Sequence, residues 1–171
     1  GRRHFLNPSN TGIAVALLLL PSMGSSPPYQ FTEGVTGAWD WILPGLVLCT
    51  GTALNSLLTK KMPLILGWLG GFALQAALRV AFCEARPAAV FVPMTGLAFI
   101  LFTNYMVSDP ATTPQRPRNQ VLFGAAVALL YGMLRQGMQI YFSLFYALLL
   151  VCSARGIYLW LTSRAPRSTP A

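Results

Sequence analysis

The sequence predicts an all-α protein, a polytopic bundle of transmembrane helices in a single domain, residues 1–171. Three observations lead to this prediction: charged residues make up 9% of the chain, hydrophobic residues make up 54%, and the mean hydropathy is +0.56. A typical soluble domain has about 25% charged residues, and so few charges do not cover a soluble surface. The high apolar content also excludes a disordered chain. We therefore expect a protein embedded in the lipid bilayer, with about five full spans and a short N-terminal half-helix.

The first apolar run, residues 11–21, is too short to cross a hydrocarbon core of about 30 Å as a helix. The sequence Asn7-Pro8-Ser9-Asn10 precedes it and is typical of a turn followed by an N-cap. This pattern predicts a half-length helix whose N-terminus opens at depth in the membrane or at its interface. Such a helix directs the positive end of its dipole inward.

Five longer apolar runs follow, and each is interpreted as a membrane span. They are separated by turn-forming or charged segments, and the Pro and Gly within them are tolerated in membrane helices. The predicted spans are residues 41–58, 63–82, 88–107 with Pro93 inside it, 121–134 and 140–161.

Two features of these runs leave alternatives open. Several small residues either let helices approach closely or are simply tolerated. Arg79 and Arg155 lie within or near helix ends, where they snorkel to the interface or pair inside the bundle. The small residues are Gly67, Gly70, Gly71, Gly124, Ala125 and Ala128.

The basic residues mark one side of the predicted bundle. Lys and Arg number 12 against 4 Asp and Glu, which gives a net charge of +8. Because cytoplasmic loops carry the excess of Lys and Arg, we expect loop 108–119 and both ends of this segment on the cytoplasmic side of a bacterial plasma membrane. Loop 22–40 is then extracytoplasmic. The charge indicates topology and predicts no nucleic-acid partner. The residues on the cytoplasmic side are Arg2, Arg3, Lys60, Lys61, Arg116, Arg118, Arg164 and Arg167.

No residue pattern predicts a self-contained enzyme. Cys49, Cys83 and Cys152 are far apart, and the lone His4 has no nucleophile in a recognisable setting. We expect no catalytic residues and no metal site. The chain starts without Met, which predicts a fragment of a longer, duplicated protein.

Two polar stretches interrupt the apolar sequence and resemble a known family. The first is His4-Phe5-Leu6-Asn7-Pro8-Ser9-Asn10-Thr11-Gly12, and the second is Met106-Val107-Ser108-Asp109-Pro110-Ala111-Thr112-Thr113-Pro114, followed by Phe123-Gly124. In order and spacing they resemble the membrane family that includes NqrB of the sodium-pumping NADH:quinone reductase and RnfD of the Rnf electron-transport complex. The resemblance covers nearly the whole chain and the C-terminal half of the family's fold. The divergent RnfD-like proteins of enediyne biosynthesis clusters are especially similar.

The resemblance implies half of an inverted-repeat fold whose missing N-terminal half belongs to the same chain. It also implies partner redox subunits, a bound FMN, riboflavin or quinone, and electron transfer coupled to ion translocation. The family esterifies FMN on the last Thr of a Ser/Thr-Gly-Ala-Thr-like loop, which corresponds here to Thr36-Gly37-Ala38-Trp39. Trp39 has no hydroxyl, so any flavin is expected to bind without a covalent bond. On this basis the chain is at most one subunit of a membrane oxidoreductase.

Seven residues are the candidates for cofactor binding. The two asparagines either form a turn and cap or hydrogen-bond an isoalloxazine edge. Asp109 caps its turn, pairs with Arg116 or Arg118, or gates a cation, and the two threonines bind backbone or a ligand phosphate. The candidates are Asn7, Pro8, Asn10, Thr36, Asp109, Thr112 and Thr113.

A second function stays open beside electron transport. The chain is then a transporter or accessory membrane protein, in export or self-protection for a natural-product pathway, that kept the fold and lost redox activity. The missing acceptor hydroxyl at Trp39 favours this alternative, and the two retained motifs favour electron transport.

Overall fold

The computed structural model describes residues 4–20, 34–140 and 142–164, with the side chains of Thr95 and Arg164 excepted. In these residues the chain forms seven α-helices and no strand, which confirms the all-α prediction. The helices are α1 (Pro8–Leu19), α2 (Trp39–Ala53), α3 (Met62–Phe82), α4 (Pro87–Phe91), α5 (Leu97–Leu101), α6 (Pro117–Gly137) and α7 (Ser143–Arg164).

Two of the helices end in a turn of π-helix. The first, Leu54–Leu58, continues α2, and the second, Phe102–Met106, continues α5. Such wider turns are rare and occur mostly as single-turn bulges within helices. Here each of them leads into the loop before a helix that begins near a proline, α3 or α6.

Three helical stretches of the described chain are long and apolar enough to cross a membrane: Trp39–Leu58, Met62–Phe82 and Ser143–Ser163. A fourth is obtained if the pair Pro87–Met94 and Leu97–Met106 counts as one span, bent by 56°. These helices are consistent with a membrane location. The prediction of about five spans is not confirmed, because α6 has the length but polar residues at both ends.

The predicted span 88–107 is broken rather than continuous. A turn of 3-10 helix, Val92–Thr95, follows α4, and Gly96 then has the extended angles φ −83° and ψ 144°. Pro93 has no N–H to donate and its ring crowds the preceding turn. Proline and glycine in close succession therefore end one helix and start another at an angle.

The helix boundaries otherwise differ from prediction by a few residues. Helix α1 starts at Pro8, because proline is favoured at the first helical position. Helix α6 starts at Pro117, inside the predicted loop 108–119. Of loop 22–40, residues 22–33 lie outside the described residues, 34–38 form turns, and α2 begins at Trp39.

The centre of the bundle is a close parallel contact between α3 and α6. A Cβ on Gly67 would lie 2.5 Å from the carbonyl oxygen of Val121, and one on Gly124 would lie 2.6 Å from the backbone nitrogen of Trp68. Only hydrogen fits at these two positions. Both glycines therefore let the helices approach closely and are not merely tolerated. Gly70, by contrast, has no heavy atom within 4 Å of such a Cβ and is tolerated without a packing role.

Aromatic rings fill the core beside this contact. Trp68 on α3 stacks on Phe99 with 5.7 Å between ring centroids, and Phe72 stacks on Tyr131 of α6 at 5.2 Å. The indole nitrogen Nε1 of Trp68 donates to Thr103 Oγ1 at 3.0 Å, so its one polar atom is satisfied while the ring is fully buried. This core holds the ends of α3, α5 and α6 in fixed positions around the site.

Candidate functional site

The two motifs of the sequence come together at one end of the bundle. We call this site the polar hub and define it by Asn7, Lys61, Asp109, Thr112 and Arg155. Three helices reach the loop between α5 and α6 through these side chains: α1, α3 and α7. The hub therefore joins segments that are far apart in sequence.

Asn7 forms the start of α1. Its Oδ1 accepts from the backbone nitrogen of Asn10 at 3.0 Å, so the N-cap is the first residue of Asn7-Pro8-Ser9-Asn10. The sequence predicted a turn there and the N-cap after it. Pro8 occupies the first helical position, and Thr11 Oγ1 donates to the Asn7 carbonyl at 2.8 Å. The remaining amide nitrogen, Nδ2, donates to Asp109 Oδ2 at 3.1 Å. Asn7 thus uses both side-chain atoms, one for its helix and one for the second motif.

Asp109 organises the second motif around its carboxylate. Oδ1 accepts from the backbone nitrogen of Ala111 at 3.0 Å, an Asx turn, and Oδ2 also accepts from Thr112 Oγ1 at 3.3 Å. Thr113 Oγ1 donates to the Asp109 carbonyl. Of the three roles considered for Asp109, these hydrogen bonds match the first, in which its carboxylate caps its own turn. Both threonine side chains are 1% exposed, and their hydroxyls bond within the loop.

Two cations hold the main chain of this loop. Lys61, 0% exposed, donates from Nζ to the carbonyl oxygen of Pro114 at 2.8 Å. Arg155 Nη1 donates to the carbonyl oxygen of Thr112, also at 2.8 Å. Hydrogen bonds from charged donors are stronger than neutral ones. Both cations bond the same loop as the Asp109 carboxylate, and that carboxylate also contacts Asn7 at the positive N-terminal end of α1.

Arg155 is a charged residue inside a candidate membrane span. It lies within the candidate span Ser143–Ser163, about two turns before its end and so roughly 12 Å along the axis. Its guanidinium turns inward to the loop, so the pairing alternative holds for this residue. Arg79 likewise bonds inside the bundle, from Nε to Gln136 Oε1 at 3.2 Å. An ionisable side chain within an apolar span is costly and mostly functional, and Arg155 is such a side chain that bonds a loop of the hub.

Asn10 fastens α1 to α7. Its Nδ2 donates to the carbonyl oxygen of Phe145 at 3.0 Å, and its Oδ1 is buried without a hydrogen-bond partner. At the other end of this contact, a Cβ on Gly156 would lie 2.7 Å from the Phe5 ring, so the ring packs on the α7 backbone. Helix α7 thus contacts the first turn of α1 through Asn10 and the segment before α1 through Phe5.

Thr36 does not belong to the hub. It is exposed and precedes α2. Helix α2 and its π-helical turn, together roughly 30 Å long, separate it from the hub end. Trp39 and Trp41 begin α2 and are 58% and 84% exposed. The candidate cofactor residues therefore form two groups, with Thr36 alone at the far end. The hub end has Asn7, Pro8, Asn10, Asp109, Thr112 and Thr113.

Sequence reasoning missed Lys61 and Arg155 as members of the site. A signal for Arg155 was present, since it is a single charge in a long apolar run. Lys61 had no such signal, because it looks like any lysine of a cytoplasmic loop.

A second polar contact near the hub was also missed. Asn55 Nδ2 donates to the carbonyl oxygens of Gly51 at 2.9 Å and Asn104 at 2.8 Å, across the two π-helical turns. A Cβ on Gly51 would lie 2.5 Å from that of Asn104, so the helices touch at backbone distance. The wider turns bring both asparagines inward.

Comparison with protein-family models, with curated proteins and with solved structures gave no match to this chain. Within the part of the chain that the structure describes, no three His, Cys, Asp or Glu side chains are grouped to hold a metal ion.

Proposed function

We propose that this protein is a membrane component of an electron-transport complex, similar to RnfD, that binds flavin or quinone and couples electron transfer to ion movement. It works with partner redox subunits and with an N-terminal half of the same chain, on the cytoplasmic membrane. The similarity of its two motifs to those of RnfD-like proteins from enediyne biosynthesis clusters supports a role in a natural-product pathway of that type.

The observation that carries this proposal is the contact between the two motifs. Asn7 and Asp109 are 102 positions apart, yet Asn7 Nδ2 donates to Asp109 Oδ2 at 3.1 Å. The pair links two loops, and each loop contains one of the two motifs. Their meeting supports the view that both motifs form one unit, as the resemblance requires.

The two ends of the bundle have different tasks in this proposal. At the hub, the Asp109 carboxylate joins the two motifs, and in this proposal it is the group through which ion movement is coupled to the fold. At the far end, Thr36 offers a hydroxyl and Trp39 an exposed ring, on which an isoalloxazine can stack without an ester bond. The protein supplies position and charge, and the cofactor supplies the redox chemistry.

Flavin analysis of the purified protein tests the proposal. We expect a protein purified in mild detergent to carry flavin, and acid precipitation to release it into the supernatant. Trp39→Ala should lower the flavin content, whereas Trp41→Ala, two residues along and more exposed, serves as the matched control. Flavin that stays with the precipitate would contradict non-covalent binding, and equal loss in both variants would contradict the role of Trp39.

The second candidate, a transporter or accessory protein without redox activity, is favoured by one observation. Trp39 stands where the related loops have their acceptor hydroxyl, so the chain lacks the group for covalent attachment. A protein that carries neither flavin nor quinone after mild purification, although well folded, would support this candidate over electron transport.

A further inference from the structure

Exposed basic side chains form a patch at the hub end of the bundle, on its outside. We propose that this basic patch, defined by Lys60, Arg116 and Arg118, binds the headgroup of an anionic glycerophospholipid. All three side chains are exposed. The proposal does not depend on the redox function, because it uses none of the residues assigned to a cofactor.

The patch is assembled from two loops that are fixed to each other. Lys60 lies between α2 and α3, and the two arginines lie at the start of α6. The bond from Lys61 Nζ to the Pro114 carbonyl joins the loops at 2.8 Å. In addition, the close contact of Gly124 with the backbone of Trp68 sets the first turns of α3 and α6 side by side. The cations are therefore held near one another without needing a ligand.

Their charge is not balanced by the protein. Within residues 4–20, 34–140 and 142–164, none of the three side chains is in a hydrogen bond or an ion pair. The first turns of α3 and α6 contain no acidic residue and no side-chain cap. Asp109 has its oxygens engaged inside the hub, and Glu84 follows the far end of α3. Cations at a helix N-terminus repel the helix dipole, so an external anion relieves this repulsion.

A buried acceptor lies in the same first turn of α6. Gln120 is 2% exposed, and its Nε2 donates to the Gln115 carbonyl at 3.1 Å, which directs the amide toward the loop. Its Oε1 has no hydrogen-bond partner. A headgroup with a hydroxyl group offers both a phosphate for the cations and a donor for this oxygen. Phosphatidylglycerol combines the two.

The surroundings favour a lipid over a soluble anion or an acidic protein. Leu57 and Leu58, just before Lys60, are 74% and 76% exposed, and Leu122, one turn after Arg118, is 68% exposed. Basic groups with an apolar surface directly below them match the two parts of a phospholipid. A soluble phosphate would contact only the basic side chains and would leave the apolar surface uncovered.

Lys60 offers a variant that removes charge without harming the fold. Its φ is 54°, a left-handed conformation that favours glycine. Lys60→Gly is therefore compatible with the backbone there. Arg116→Gln and Arg118→Gln remove the other two charges at exposed positions. Arg86→Gln is the matched control, since Arg86 lies at the opposite end, before α4.

Lipid binding to the detergent-purified protein, measured by native mass spectrometry, tests the proposal. Both lipids carry a phosphate, but choline brings a positive charge to the three cations and has no hydroxyl to donate to Gln120 Oε1. We therefore expect phosphatidylglycerol to bind at least about tenfold more tightly than phosphatidylcholine. The triple variant should lose this preference, Lys60→Gly alone should reduce it, and Arg86→Gln should retain it.

Several outcomes would overturn the assignment. Equal binding of the two lipids, an unchanged preference in Lys60→Gly and the triple variant, or the same loss in Arg86→Gln would each do so. Displacement of phosphatidylglycerol by inorganic phosphate would mean that the patch binds a soluble anion instead. If the triple variant does not fold, Lys60→Gly decides the matter, because glycine suits its backbone angle.

Discussion

Asn7 links helix formation and tertiary contact in one side chain. Its oxygen caps α1 and its nitrogen binds the Asp109 carboxylate. An amide is suited to both because it accepts at one atom and donates at the other. Different substitutions at Asn7 can therefore remove the helix cap and the bond to Asp109 separately.

Three substitutions at Asn7 are expected to differ in stability. Asn7→Ser keeps a cap acceptor and loses only the bond to Asp109, whereas Asn7→Ala also loses the cap, which costs about 1 kcal/mol. Asn7→Asp keeps the cap but brings a second carboxylate to Asp109, so its melting temperature in detergent should fall below that of Asn7→Ser. A melting temperature of Asn7→Asp equal to wild type would mean that the contact with Asp109 is absent in solution.

Local rules predict some residues of the hub and not others. The cap at Asn7 and the turn at Asp109 follow from an Asx residue beside proline, which is a short-range signal. The contacts of Lys61 and Arg155 with loop carbonyls depend on where three helices end in space. No spacing along the chain carries that information. The sequence marks Arg155 as an unusual charge in an apolar run, but the partners of both residues could be found only from the folded chain.

At the scale of helices, the α3–α6 contact decides which small residues matter. Gly67 and Gly124 lie against the backbone of the opposite helix, while Gly70 faces open space. The sequence shows a stripe of small residues but not which face is used. The parallel direction of the two helices, which sets the facing pairs, is a property of the whole bundle.

Alanine substitutions are expected to have opposite effects at two of these glycines. Gly124→Ala forces a methyl group against the α3 backbone and should destabilise the protein by about 1–3 kcal/mol or more. Gly70→Ala meets nothing and should be neutral or stabilise by about 0.4–1 kcal/mol, through lower entropy of the unfolded chain. Thermal unfolding in detergent measures both, and similar melting temperatures of the two variants would contradict the helix pairing.

The broken run at residues 92–96 shows the limit of hydropathy as a predictor. Hydropathy gives the same value whether a span is straight or bent. Pro93 was visible in the sequence, but one proline often kinks a membrane helix without ending it. The extended angles at Gly96 complete the break, and the sequence had no signal for them.

At the scale of the whole molecule, the two ends of the bundle differ in charge. Lys60, Lys61, Arg116 and Arg118 lie at the hub end, and the contact of Lys61 with Pro114 ties their loops together. Glu84 follows the opposite end of α3. The sequence allowed these ends to be grouped because the spans alternate in direction. Their assignment to the cytoplasm and the outside stays a prediction.

The native cysteines report on this orientation. Cys83 is exposed at the end of α3 that lies away from the hub, while Cys152 is buried. A membrane-impermeant maleimide added to intact spheroplasts is expected to label Cys83 from outside. Cys83→Ser should abolish that labelling, because the other exposed cysteine, Cys49, lies in the middle of the candidate span Trp39–Leu58. Labelling of Cys83 only after permeabilisation would reverse the predicted orientation.

The proposed function is electron transfer through a bound, non-covalent cofactor. The most direct measurement is the visible spectrum of the detergent-purified protein before and after reduction with dithionite. We expect a flavin band at a stoichiometry near one per chain, bleached on reduction and restored by air, or a bound quinone found on solvent extraction. A well-folded protein with neither cofactor and no spectral change would contradict the claim.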